Sequence, residues 1–180
     1  MNAFDVLGLP QRLTLTSTEI DTAFRESGKT QHPDAGGDEQ TFTRLREART
    51  TLASPASRLA HWLEIQGEIP NPRGTIAPEI MDLFAPVGQA VQEADTLARR
   101  RDATTTSLGL ALLKSETLRI RELLESMIAR IDATIVSQCA PFASWEAQPP
   151  HPDLPTATIR NLRFLEKWKA SLMAAYATLA

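Results

Sequence analysis

Apolar residues recur at three- and four-residue steps from residue 106 to residue 137, where Leu113, Ile120, Leu124, Met127, Ile131 and Ile135 fall on one side of a 3.6-residue helix. At about 1.5 Å per residue this rod exceeds about 40 Å. No segment of any length alternates apolar and polar residues at the period of two that a half-buried strand requires. The chain is thereby restricted to packing helix on helix, each burying one stripe against its neighbours. With 42% hydrophobic residues among 180, it has enough apolar surface to do so. The expected fold class is all-α.

Breakers and caps divide the chain further. A short helix over 3–8 ends at Gly8, with Pro10 just beyond. Thr16, Ser17 and Thr18 offer N-caps to a second helix, which carries Ile20, Ala23 and Phe24 and runs to about Gln31. Pro33 disfavours helical geometry at His32, and Gly36-Gly37 completes the break. Asp38 then caps a third helix with Phe42, Leu45, Ala48 and Leu52 at helical spacing, so the second and third helices form an antiparallel hairpin. Ser54-Pro55 starts a fourth helix, carrying Leu59, Trp62, Leu63 and Ile65. The breaker-rich segment from Gly67 to Gly74 marks a boundary, which gives a unit at 1–66, a linker at 67–77 and a second unit at 78–180. In the second unit Ile80, Phe84, Val87, Val91, Ala94 and Ala98 form a stripe that Pro86 kinks or restarts. A Pro-rich loop at 141–155 precedes a last helix whose apolar face is Leu162, Leu165, Trp168, Leu172, Tyr176 and Leu179. Three helices are expected there.

Charge and composition exclude several classes. Net charge is −3; residues 1–70 hold seven basic and ten acidic side chains, and residues 71–180 hold twelve of each, so neither half is a nucleic-acid binder by electrostatics. The single cysteine, Cys139, excludes an internal disulfide, and the opening MNAFDVLGLP has neither a basic n-region nor a long apolar h-region. No apolar run approaches the roughly 18–20 residues of a membrane span. The expectation is a cytoplasmic protein with no membrane partner. Cys139, His61, His151 and Asp153 show no metal-ligand spacing, and neither a phosphate loop nor a nucleophile elbow is present. No metal, no cofactor and no catalytic residue is therefore expected, and the protein is not expected to be an enzyme. Arg99-Arg100-Arg101 reads as a solvated helix C-terminus, where cations suit the dipole.

At the tip of the first hairpin stands His32-Pro33-Asp34. A ring-fixed backbone between an imidazole and a carboxylate offers a small rigid surface: Asp34 can accept a bidentate pair from an arginine, and His32 can donate or accept one hydrogen bond. Pre-organisation of this kind keeps the ordering cost of docking low. The same letters recur at His151-Pro152-Asp153, but prolines crowd that copy and it reads as a polyproline-like loop. Phe4, Leu7-Gly8-Leu9, Ala23-Phe24, His32-Pro33-Asp34, Phe42, Leu45, Ala48, Leu52 and Ser54-Pro55 together resemble a J-domain. The resemblance implies a co-chaperone that docks on a DnaK/HscA-type chaperone and stimulates its ATPase. His32, Pro33 and Asp34 would act at the interface, with Arg25 and Lys29 assisting. The helix before the motif departs from the basic family pattern, since Arg25 and Lys29 face Glu19, Asp21 and Glu26, and Gly28 interrupts it at a cost of about 1 kcal/mol.

The second unit narrows the resemblance to HscB-type iron–sulfur co-chaperones, which join an N-terminal J-domain to a C-terminal three-helix bundle. Pro78-Glu79-Ile80-Met81-Asp82 and the run from Ile159 to Lys167 are similar to that family's first and last bundle helices. The implied partner is an iron–sulfur cluster scaffold protein of the IscU type, gripped at the positions of Ile80, Met81, Phe84 and Phe164. At 100° per residue, Phe164 lies about 100° from its helix's apolar stripe and Met81 lies off the Ile80/Phe84 stripe. Ala85, Pro86, Val87, Gly88 and Gln89 occupy the stretch where the family carries glutamates. A J-domain protein for a different client, and a helical adaptor without chaperone coupling, are the alternatives.

Overall fold

The computed structural model describes residues 2–31, 38–71 and 73–179, the side chains of 30 and 31 excepted. His32, Pro33 and Asp34 lie outside the described residues. All regular structure among the described residues is helical: α1 (Ala3–Leu7), α2 (Ser17–Gln31), α3 (Glu39–Ala53), α4 (Pro55–Ile65), α5 (Pro78–Met81), α6 (Phe84–Asp102), α7 (Ser107–Cys139), α8 (Phe142–Ala147) and α9 (Asp153–Thr178). The chain divides into two compact units, one of residues 1–75 with 139–162 and the other of residues 76–138 with 163–180.

Polar side chains define the helix ends of the first unit. The Asn2 side chain accepts from the Phe4 amide, and Gly8 turns left-handed at φ +63° to close α1. At the start of α2, the Thr16 hydroxyl accepts from the Glu19 amide while the Glu19 carboxylate accepts from the Thr16 amide at 2.7 Å, a reciprocal capping box. Asp38 accepts from the Thr41 amide at 2.9 Å to cap α3, and Ser54 accepts from the Ser57 amide to cap α4, whose first residue is Pro55. These caps use helix donors that have no intrahelical partner. Between the caps, Ala3, Phe4 and Leu7 of α1 pack with Leu15, with Ile20 of α2 and with Leu45, Ala48 and Leu52 of α3. Arg49 clamps α3 to α2, its Nε and Nη2 both 2.9 Å from one oxygen of Asp21 and its guanidinium 5.3 Å from the centre of the Phe24 ring. Arg58 on α4 donates to the Leu52 carbonyl at 2.7 Å, closing the end of α3.

The stretch 141–155 is not a continuous loop. Phe142 and Trp145 lie one helical turn apart on α8, both buried and 5.7 Å apart between ring centres. The Glu146 carboxylate accepts from the Thr14 amide at 2.7 Å and from the Thr14 hydroxyl at 3.3 Å. α9 then begins at Asp153, so the second His-Pro-Asp sits at a helix start, with the Asp153 amide donating to His151 Nδ1 at 3.5 Å.

Apolar stripes hold the second unit together. Ile80, Leu83, Val87, Ala90, Ala94 and Leu97 face Ile120, Leu124, Met127 and Ile131 of α7 and Leu165, Trp168, Leu172, Ala175 and Leu179 at the chain's other end. The helix restarts at Phe84, two residues before Pro86, which becomes the third residue of α6, a position whose amide has no intrahelical acceptor in any case. That restart changes the phase of the stripe. Leu83, Ala90 and Leu97 are buried, Val91 and Ala98 only partly, and Phe84 faces outward, contrary to the pattern expected for one uninterrupted helix.

Candidate partner-binding sites

Two surfaces carry the residues singled out in the sequence. On the first, α2 and α3 lead into and out of the His32-Pro33-Asp34 segment, and α3 restarts at the cap Asp38. Arg25 donates from Nε to the Asp21 carbonyl at 3.3 Å and from Nη2 to the Thr22 hydroxyl at 3.1 Å. Lys29 pairs with Glu26 at 2.8 Å, and this bond holds the exposed Glu26 carboxyl below its ordinary range. Both cations are thus engaged within their own helix, and with Glu19, Asp21 and Glu26 beside them the long-range positive field of this face is weak. At Gly28 a Cβ would meet only the Phe42 ring, at 3.9 Å, so no packing demand accounts for the glycine.

The second surface lies where α5 gives way to α6, opposite part of α9. Ile80 is completely buried, whereas Met81, Phe84 and Phe164 remain 45%, 58% and 40% exposed. Of the four residues named for a scaffold partner, Ile80 is therefore a core residue that anchors the short α5 and leaves Met81 to face outward. Burial of Ile80 follows from the break at Asp82 and Leu83, which lets α5 and α6 each turn an apolar side inward. Trp168, expected only as part of the α9 core stripe, joins the two phenylalanines: its ring is 6.1 Å from Phe84 and 5.8 Å from Phe164, the latter edge-on. The spacing Phe164-Trp168, one turn on α9, was the signal available in the sequence. Offset and edge-on ring pairs are favourable beyond the area they bury, so this aromatic group presents an ordered apolar surface.

Where the family's glutamates would follow, Ala85 and Gly88 are exposed, Val87 is in the core, and Gln89 donates to Glu93 at 3.1 Å. The stretch from 83 to 92 carries no charged side chain, and what it exposes is polar or apolar without charge. Among the described residues, no group of three or more His, Cys, Asp or Glu side chains is gathered as a metal ion would require, and no helix is long and apolar enough to cross a membrane.

No protein-family model and no curated protein sequence matches the chain. Solved structures do. The chain is similar to the chaperone HscB from Vibrio cholerae, with a TM-score of 0.58 and 21% identity over 100% of both chains. It is also similar to the human co-chaperone protein HscB, with a TM-score of 0.52 and 11% identity over 97% of this chain and 81% of the human one. The likeness runs through both units and is one of fold: the chain has the all-helical fold of the HscB chaperones.

Proposed function

We propose that the protein is a J-type co-chaperone that stimulates the ATPase of a DnaK/HscA-type chaperone and brings to it an iron–sulfur cluster scaffold protein of the IscU type. The observation that carries this is the HscB fold along the whole chain, combined with a His-Pro-Asp in the segment joining α2 to α3. Residues 1–66 act as the J-domain, residues 67–77 as the linker and residues 78–180 as the client-binding part, of which residues 139–162 pack with the first unit. The protein works in the cytoplasm as a regulator of its partner's active site, with none of its own.

In this mechanism Asp34 receives an arginine of the chaperone and His32 supplies one directed hydrogen bond, while Pro33 limits the conformations lost on docking. Arg25 and Lys29 leave Thr22 and Glu26 for carboxylates of the chaperone, an exchange that is nearly neutral because exposed pairs contribute little on either side. Met81, Phe84 and Phe164 bury apolar area against the scaffold, and Trp168 keeps the two phenylalanines in place.

Steady-state ATP hydrolysis by the cognate chaperone, measured with the wild type and with His32→Gln, tests the first half. The expected outcome is loss of stimulation with His32→Gln; equal stimulation removes the J-type assignment. Titration of the scaffold protein tests the second half. Phe164→Ala and Met81→Ala should each weaken binding about tenfold, the loss of one buried anchor. Unchanged scaffold affinity, with ATPase stimulation retained, favours a different client, for which the charge-free face at Ala85, Gly88 and Gln89 is the supporting observation.

A further inference from the structure

The 33-residue α7 has one side that faces neither of its neighbours. Glu116 and Arg119 bond to α6, Arg121 and Asp132 bond to α9, and Leu124 and Ile131 are buried between the two. Opposite Leu124, at about 100° per residue, runs a row whose members follow one another at alternating steps of four and three, the spacing of a coiled-coil seam. Every residue of that row from Leu108 to Ala133 is exposed.

The row is graded by size along the helix. Leu108 and Leu112, at one end, are 70% and 72% exposed. Ser126, Ala129 and Ala133 occupy the other end, and the only two charged members, Arg119 and Glu122, stand at the centre. A seam turned solely to water would be expected to carry charge along its length, as the polar face of a surface helix does. Here large and small side chains are separated, and two opposite charges mark the midpoint.

That gradient is self-complementary when the row is reversed. With Arg119 set against Glu122 of a second copy, Ser115 meets Ser126, Leu112 meets Ala129 and Leu108 meets Ala133, and a twofold axis repeats every pair. Large side chains then face small ones at both ends, which is how two helices fill the space between them. Glu122 has no ion-pair partner among the described residues, and Arg119, which gives Nη2 to Glu93 at 3.2 Å, retains its other guanidinium donors. A parallel pairing would oppose arginine to arginine and leucine to leucine, and would leave a gap between the alanines.

We propose that the outer face of α7 is a dimerisation seam on which a second copy of this chain docks antiparallel, with Arg119 and Glu122 reciprocally paired at its centre. The seam includes none of the residues assigned above to the chaperone or to the scaffold, so it stands or falls apart from those roles.

The test is sedimentation velocity of the full chain from micromolar to millimolar concentration. A concentration-dependent dimer is expected. Leu112→Glu, Arg119→Glu and Glu122→Arg should each weaken it at least tenfold, the last two by bringing like charges together. All three positions are exposed, so none of the substitutions opens the core, and circular dichroism establishes that each variant is folded. An equimolar mixture of Arg119→Glu with Glu122→Arg restores both ion pairs and should associate within a few fold of the wild type, a rescue that general destabilisation cannot produce. A monomer at every concentration overturns the proposal, including one that binds phosphatidylserine vesicles through Leu112. So does a full-strength dimer in Leu112→Glu, or a mixture that fails to associate. Tighter association of Arg119→Glu with the wild type than with Glu122→Arg identifies a parallel pair and overturns it as well.

Discussion

The two compact units solve the same problem with different chemistry. In the first, helices of five to fifteen residues are defined at their ends by Asn2, Thr16 with Glu19, Asp38 and Ser54, each satisfying a backbone amide. In the second, α5 and α6 begin at Ala77 and Leu83 without a side-chain cap, and the 33-residue α7, capped by the Thr106 hydroxyl that accepts from the Gly109 amide at 3.1 Å, gains most of its order from a stripe buried on two sides. Short helices are marginal alone, and α1 to α4 gain from directed polar contacts at their ends, although the six-residue α8 has no side-chain cap; long ones accumulate enough apolar contact to depend on caps less. On the proposed function, the first strategy suits a hairpin that docks on a chaperone, and the second suits a bundle that holds out an apolar face.

That contrast can be broken most sharply at Leu124, which is completely buried at the centre of the second unit. Leu124→Ala should cost about 3 kcal/mol in chemical denaturation, the sum of lost transfer energy and a residual cavity. A loss below about 1 kcal/mol means that the unit does not depend on its stripe. Next in size is a cap of the first unit: Asp38→Ala should cost about 1 kcal/mol.

The same caps give that unit a pH dependence the stripe cannot have. The Thr16 backbone amide holds the Glu19 carboxyl below its ordinary 4.5, and the Thr41 amide holds Asp38 below 3.8. Because the folded state prefers both groups ionised, their stabilisation is complete above those ordinary values and is lost as pH falls below them through the folded ones. Amide exchange at Thr16 and Thr41, followed as pH falls through 4.5 and 3.8 and corrected for intrinsic rates, should lose protection before the α7 amides do. Simultaneous loss removes the distinction. The smallest effect is a gain: Gly28→Ala should stabilise α2 by about 0.5–1 kcal/mol, since the added methyl meets only Phe42 at ordinary contact distance. A shift of the thermal midpoint in either direction decides it.

Much of this was legible because each strategy leaves a mark in the sequence. Thr16, Asp38 and Ser54-Pro55 announced their helices through side chains that do one local job, and the spacing from Ile120 to Ile131 announced α7. The misreadings arose where local signals competed. Pro141 and Pro149-Pro150 flank only six helical residues in α8, and their weight as breakers hid the Phe142/Trp145 pair. A two-residue break at Asp82 and Leu83 rotated the next helix, turning Phe84 outward and Leu83 inward, while Ile80, read both as a stripe residue and as a scaffold contact, is in the core. Trp168 was visible as an apolar residue, but its joining of Phe84 to Phe164 depends on helices eighty residues apart in sequence, which no local pattern encodes.

One contact in the first unit links its two ends through a single proton. The Ala3 amide donates to His61 Nε2 at 3.0 Å across 58 residues, and the His61 ring stacks on Phe4 with 5.8 Å between centres. An amide in the first turn of a helix has no carbonyl within that helix and ordinarily exchanges freely with solvent. Ala3 is shielded only while α1 and α4 stay together. The isotope exchange of this one hydrogen therefore measures whether the opening helix is seated, a tertiary event recorded at a single backbone position.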